Sequence, residues 1–556
     1  MSWIAFGVFS LRRPWGLALL ALLALLALGL VGCSPQPTVE LVLTYGSEKR
    51  AWLEDVTAAF NAAGHELESG ERIAVRAIPM GSGEAMDEIL QGSRQAHLVS
   101  PASGAFIELA NGQWQEQGRG DVVGPSRNLV LSPVVIAMWR PMAEALGYGE
   151  RPIGWGEILE LVRHPAGWGA VGHPQWGRFK FGHTHPRYSN SGLIAVLAET
   201  YAGSGQRRRL RLRDVENPTT VEFVTAIERA VVHYGRSTGF FGRQLMDHGP
   251  SYLSAAVLYE NMVIESYDRD DLAMPLVAIY PKEGTFWSDH PIAVVQREWV
   301  SDLHRAAAER YIDFLLAEPQ QRKALNYGFR PADPAIPITA PIDSAHGVDP
   351  QQPQTVLPVP RANVLQAVLE LWETTKKAAD IVLVMDTSGS MAKDNRMTQA
   401  KQGARQLLAA LGDRDQFSLL AFNGRLNWVF RRLELGRDRP RAENAINGLF
   451  PRGGTALFDA VAQARDYLLD NAQLDRIQAV VVLTDGADTD SQLALRELLA
   501  RLEREGPNPV GVFPIAYGAG ANLGELERVA EATRSRAYEG NPEDVERAFR
   551  DIATFF

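Results

Sequence analysis

Ile381-Val382-Leu383-Val384-Met385-Asp386-Thr387-Ser388-Gly389-Ser390 is the stretch on which the fold of this chain turns. Five consecutive apolar residues suit a parallel strand buried on both faces. The Asp386 carboxylate and the hydroxyls of Ser388 and Ser390 follow where that strand gives out into a loop. In open α/β sheets this carboxyl edge is where ligands bind. Oxygen donors with no Cys or His beside them suit a hard divalent cation such as magnesium.

From Ala379 onward, strand and helix patterns alternate strictly, which predicts a mostly parallel, doubly wound, Rossmann-like α/β sheet. Strands are expected at 381–385, 417–422, 480–484 and 510–516, with a short one near 428–430. Ala400, Ala404, Leu407, Leu408 and Leu411 line one helical face, and Leu457, Ala460, Val461, Ala464 and Leu468 another. Right-handed crossovers place like strand ends on one rim, so Asp386 and Asp485 are expected to share it. Gly453-Gly454-Thr455 ends a further loop before a helix. With Asp386, Ser388, Ser390, Thr455 and Asp485, residues 379–556 resemble the von Willebrand factor type A (VWA) domain. Its metal-ion-dependent adhesion site uses D-x-S-x-S, a later Thr and a later Asp. The resemblance implies that these five residues hold Mg2+ (or Mn2+ or Ca2+), with one position left for an acidic residue of a protein partner. Asp488 and Asp490 are expected to face solvent.

A chain of 556 residues exceeds one ordinary domain of about 100–200 residues. With 46% hydrophobic and 22% charged residues it reads as globular. A formal net charge of -10 argues against nucleic acid or an anionic membrane surface as the main partner. The run Arg207 to Arg213 is a local exception without interleaved aromatics, expected as a solvated loop edge.

Arg12 and Arg13 precede the apolar run 16–31, a signal-peptide core in length and flanks. Leu30-Val31-Gly32-Cys33 comes next, and Cys33 is the only cysteine in the chain. It therefore has no internal disulfide partner. The segment resembles a bacterial lipoprotein lipobox, which implies cleavage before Cys33, acylation of its sulfur and an extracytoplasmic body tethered to a membrane. Residues 1–33 would be the signal peptide and 34–37 the tether.

In 38–337 several strands run into Ser/Gly loops and then amphipathic helices: Tyr45-Gly46-Ser47, Met80-Gly81-Ser82-Gly83, Val99-Ser100-Pro101 and Ser189-Asn190-Ser191-Gly192. Such loops aim N–H groups and hydroxyls at a polar or anionic ligand, although a serine at a helix start also serves as a plain cap. Ser189-Asn190-Ser191-Gly192-Leu193, 280–285 with Asp289-His290-Pro291, and 326–331 carry a resemblance to the two-lobed, type II solute-binding proteins of ABC transporters. It implies crossings between lobes at 131–134 and 278–281, the first lobe being 38–132 with 281–337. It also implies a cleft contacted by Ser47, Ser82, Ser100, Ser191, Tyr259 and Tyr280, holding a small solute or oxyanion with no basic residue assigned to it. His183 and His185 share a strand face, but no spaced carboxylate or Cys completes a metal set with them or with His173.

Residues 338–378 read as a Pro-rich, semi-stiff linker and then a helix through Val364, Val368, Leu369 and Trp372, expected to dock on the C-terminal domain that it leads into. No G-x-S-x-G, G-x-x-x-x-G-K-[ST] or H-E-x-x-H motif occurs. The expected function is therefore binding without enzyme activity: metal-dependent protein recognition combined with ligand sensing. A transport component with an accessory C-terminal domain is the alternative, and a metal-dependent hydrolase a remoter one.

Overall fold

The computed structural model describes residues 37–272, 274–504, 509–518, 520–540 and 545–556. The targeting segment, Cys33 and the tether to residue 36 lie outside these. Among the described residues no helix is long and apolar enough to cross a membrane.

Strands β1 (Thr38–Gly46), β2 (Arg72–Met80), β3 (Leu98–Ser100) and β4 (Val123–Asn128) belong to a first sheet. The chain then enters a second sheet through β5 (Val130–Trp139), β6 (Phe181–Thr184), β7 (Val231–Gly235), β8 (Ala255–Tyr259), β9 (Leu276–Ile279) and β10 (Trp287–Ser288). It returns through β11 (Pro291–Val295), giving the first sheet the order β2-β1-β3-β11-β4. β12 (Arg330–Pro331) then pairs with Leu131 and Val130 of β5.

The first crossing lies at 129–130, close to its expected place, but the second lies at 288–291 rather than 278–281. β9 and β10 both pair with β5, so residues 276–288 stay in the second lobe. Arg330 reinforces the hinge: buried to 6% exposure, its side chain grips the fully buried Glu260 with two bonds, Nε to Oε2 at 2.8 Å and Nη2 to Oε1 at 2.7 Å.

Residues 338–360 carry little regular structure, yet they lie packed on the second lobe rather than hanging free. Ile342, Val348 and Leu357 are buried, Val356 bridges Thr285, and Tyr201 donates to the Pro358 carbonyl at 2.8 Å. The helix Ala362–Thr375 docks not on the C-terminal domain but on the second lobe, against the helices Asn190–Ser204 and Pro218–Glu228. Trp372 sets that direction: fully buried, it packs edge-on against His185 and Tyr234, with ring centres 4.6 Å and 5.2 Å away. Arg207–Arg209, Arg211 and Arg213 are exposed, as a solvated loop edge should be.

The C-terminal sheet has the order β15-β14-β13-β16-β17-β18, formed by β13 (Ala378–Asp386), β14 (Gln416–Phe422), β15 (Leu426–Glu434), β16 (Arg476–Thr484), β17 (Val510–Tyr517) and β18 (Tyr538–Gly540). All pairings are parallel except β14 with β15, an edge ribbon longer than its sequence suggests. Every residue of β13 is buried. Full burial of each of its large apolar side chains contributes roughly 1.5–3 kcal/mol. Alternation sends Ile381, Leu383 and Met385 into a core continuous with the two lobes, and Val382 and Val384 into a separate core on the other face. Because β14 lies on one side of β13 and β16 on the other, the carboxyl end of β13 is the switch point of the sheet.

The three bodies meet at Arg236, just past β7. Its guanidinium contacts Glu84 of the first lobe through Nε and Nη2, and Asp551 of the helix Val545–Ala553 through Nη1.

Candidate functional site

At the rim of the C-terminal sheet, β13 and β16 end side by side and deliver Asp386 and Asp485, which are 0% and 1% exposed. Asp386 Oδ1 accepts from the Ser388 N–H and Oδ2 from the Thr484 hydroxyl, both at 2.7 Å. Ser388 Oγ lies 2.9 Å from Ser390 Oγ, which donates to Asp485 Oδ1 at 2.7 Å. The Gly389 N–H donates to the Gly453 carbonyl at 2.9 Å and ties this loop to the one carrying Thr455. A Cβ placed on Gly486, the residue after Asp485, would lie 3.9 Å from the Thr455 hydroxyl. All five expected residues therefore gather at one rim, four of them buried and Ser390 half-buried on the solvent side.

Burial pushes the Asp386 carboxyl above the usual carboxylate range; its hydrogen bonds offset part of this, and Asp485 adds to it. Asp485 has a counter-charge that the motif did not announce: Arg396 Nη1 donates to its Oδ2 at 2.7 Å. Asp394 and Asn395, both with positive φ, form the bend that brings Arg396 over the rim. Asp488 serves the fold, accepting from the Leu457 and Phe458 N–H groups at 2.8 Å and 3.3 Å and so capping the helix Leu457–Asp470. Asp490 is exposed, with its carboxylate against Gly454. Five oxygen-bearing side chains, one of them a buried carboxylate held only by neutral donors, make a donor set that fits a hard divalent cation.

The seam between the two lobes is shut. The Gly83 and Glu84 N–H groups donate to the Tyr188 carbonyl at 2.9 Å and 3.3 Å, and the Gly239 N–H donates to Ser47 Oγ at 3.1 Å. Glycine is required here by proximity: a Cβ on Gly83 would overlap the Arg187 carbonyl, and one on Gly239 would lie 2.5 Å from the Ser47 carbonyl. Ser191, Tyr259 and Ser47 are drawn together. Ser191 Oγ accepts from Thr238, Asn190 donates to Tyr259 at 3.0 Å, and Thr238 precedes Gly239. Ser82 accepts from the Ala102 N–H within the first lobe, and Ser100 is fully buried with no hydrogen-bond partner for Oγ among the described residues. Tyr280 is not part of this group. Its hydroxyl contacts Glu260 and accepts from the Asp349 N–H at 3.2 Å, because residues 276–288 stay in the second lobe and are covered by the 338–360 stretch.

Charged residues that the sequence did not assign also line the seam. Lys49 Nζ is fully buried, 2.8 Å from Glu48 Oε1 and 3.2 Å from His290 Nδ1. Burial alone would raise the Glu48 carboxyl, but Lys49 and His290 outweigh it and hold it down at about 2. Burial pushes the Lys49 amine and the His290 ring below their ordinary values.

Residues 41–330, more than half of the chain, match the family model of the bacterial extracellular solute-binding proteins. Residues 381–487 match that of the von Willebrand factor type A domain. Inter-alpha-trypsin inhibitor heavy chain H4 of Sus scrofa is 26% identical over 170 residues, 29% of this chain and 18% of that protein. The voltage-dependent calcium channel subunit alpha-2/delta-3 of Homo sapiens is 35% identical over 118 residues, 19% of this chain and 11% of its own length. The chain thus spans less than a fifth of either relative. Among solved structures, a periplasmic thiamin binding protein is similar over 62% of this chain and 98% of its own, with 13% identity and a TM-score of 0.43.

Proposed function

Because this chain belongs to the bacterial extracellular solute-binding proteins and carries a VWA domain behind that region, we propose that it is a membrane-anchored binding protein with two separate grips. In this reading it is not an enzyme. Cys33 carries the lipid, the lobes of 38–337 hold or sense a small solute or oxyanion, and the domain 379–556 recognises a protein through a divalent cation, Mg2+ or a related ion. Asp386, Ser388, Ser390, Thr455 and Asp485 would hold that cation, which supplies positive charge for an acidic side chain of the partner. The observation that carries the reading is the continuous oxygen chain Ser388–Ser390–Asp485 beside the buried Asp386, open to solvent at Ser390.

For the seam, the support is a set of buried polar atoms without a hydrogen-bond partner among the described residues: Ser100 Oγ, Asn190 Oδ1, Asn261 Oδ1 and His290 Nε2. Buried polar groups are nearly always satisfied, so this seam suits a small polar ligand. Delivery of that solute to an ABC permease, with the VWA domain as an accessory, is the second reading that family membership favours. A permease and ATPase encoded beside this chain would support it.

Asp386→Ala tests the rim directly. Magnesium should raise the melting temperature of the C-terminal transition in the wild type and leave it unmoved in the variant. An equal rise in both would place the ion elsewhere.

A further inference from the structure

The core of the second lobe holds a polar cluster that neither the seam nor the rim uses. His183 lies on β6, Glu199 on the helix Asn190–Ser204, and Glu228 ends the helix Pro218–Glu228. All three are 0% exposed, and one nitrogen or oxygen from each lies within 4.8 Å of the other two. The two histidines that share a strand face in the sequence pattern are parted, since His185 turns to Trp372. The carboxylates missing from that set arrive from two helices instead.

The imidazole is oriented. His183 Nδ1 lies 2.8 Å from the Thr184 carbonyl, and a carbonyl only accepts, so Nδ1 carries the hydrogen. In the neutral ring Nε2 then holds the lone pair, and it faces Glu228 Oε1 at 3.0 Å. Glu228 Oε2 accepts from the Tyr234 hydroxyl at 2.7 Å. Neither oxygen of Glu199 accepts a hydrogen bond among the described residues. A fully buried carboxyl group with no partner is costly, and groups of this kind are retained where they share a proton or coordinate a cation.

We propose that His183, Glu199 and Glu228 form a buried site for a divalent transition cation of the zinc class. One imidazole nitrogen with carboxylate oxygens suits such a borderline metal, whereas the all-oxygen rim suits a hard ion. Two carboxylates and a neutral ring leave no net charge in the core once a dication is present. The Nδ1–H on the Thr184 carbonyl and the Tyr234 hydroxyl on Glu228 are the outer contacts that hold ligating groups in place. Ligand bonds of about 2.0–2.2 Å are within reach of side-chain shifts, since His183 Nε2 and Glu228 Oε1 already lie 3.0 Å apart. Full burial makes uptake part of folding of the lobe and makes removal by chelator slow. The ion would sit one layer beneath Trp372, which packs on Tyr234, and so would stiffen the seat of the helix that leads into the VWA domain.

The test uses the full chain, prepared without a metal-affinity step from zinc-supplemented cells, dialysed against EDTA and assayed by inductively coupled plasma mass spectrometry. The expected result is about one equivalent of zinc retained in the wild type and in Asp386→Ala, and lost in the near-isosteric Glu199→Gln. Protein grown with cobalt should show the intense visible bands of a low-coordinate nitrogen–oxygen site, absent in Glu199→Gln. Wild-type protein free of transition metal would overturn the proposal, as would equal retention in Glu199→Gln. A wild type that holds no transition metal while Glu199→Gln melts at or above it would identify Glu199 as a buried neutral acid. His183→Gln guards against a misfolded first variant, since it too must lose the metal.

Discussion

Asp386 and Asp485 stand at the ends of adjacent strands of one sheet, whereas Ser47, Gly83, Tyr188 and Gly239 meet across a seam between two lobes. Under the proposed function a cation at the rim would meet donors already in place, and its affinity would rest on charge. A solute at the seam would bind the closed arrangement, so its apparent affinity would be scaled by the fraction of molecules that are closed. The two proposed regions would then obey different rules, one tuned by electrostatics and the other by a hinge.

Arg330→Met should have the largest effect. It leaves Glu260 buried without its counter-charge, which costs about 3–5 kcal/mol. Hydrogen exchange should show lost protection in β5 and β8, with magnesium-linked protection of β13 intact. Loss in β13 too would show that the regions do not behave independently. Gly83→Ala comes next, overpacking the seam at a cost of about 1–3 kcal/mol to the closed form. Small-angle scattering should register a larger radius of gyration, and an unchanged radius would mean that the seam yields without opening.

Acid should separate the regions by sign. The Glu48 carboxyl is depressed to about 2, so its stabilisation is complete above the ordinary carboxylate value and is lost as pH falls through about 2. Asp386 is raised, so in EDTA its ionised form weakens the rim at neutral pH, and that penalty disappears as pH falls through the raised value. Glu48→Gln should therefore melt below the wild type at neutral pH and Asp386→Asn above it in chelator, both gaps closing in acid. Gaps of the same sign would contradict the assignment. Arg396→Ala should have the smallest effect. Removing a cation 2.7 Å from Asp485 should raise divalent-ion affinity by about 1 kcal/mol, roughly fivefold, in a manganese titration. Weaker binding would mean that Arg396 serves to aim Asp485.

The C-terminal fold was legible because β13 and β16 each contain an unbroken apolar run, and both lead into the carboxylates of the candidate site. β18 was missed: three residues, Tyr538–Gly540, carry too short a pattern. Arg396 was missed because its approach depends on left-handed backbone at Asp394 and Asn395, which no periodicity announces. In the two-lobed region the Ser/Gly loops before helices were readable. The second crossing was placed too early because β10 spans only Trp287–Ser288 and is defined by its partner, β5, rather than by its own residues. Lys49 and Glu48 carry no sequence signal of their burial, because their partner His290 lies far downstream. The docking direction of Ala362–Thr375 was misjudged for the same reason, since the ring that receives Trp372 belongs to Tyr234, far upstream.

Arg236 divides one positive charge between Glu84 and Asp551. Were the first lobe to withdraw Glu84, the guanidinium would be left to Asp551 and the helix Val545–Ala553 alone. Coupling between two sites is reciprocal, so a partner that drew Arg236 toward Asp551 would in turn make the lobes easier to part. A single side chain would then link the seam to this last helix with negative sign.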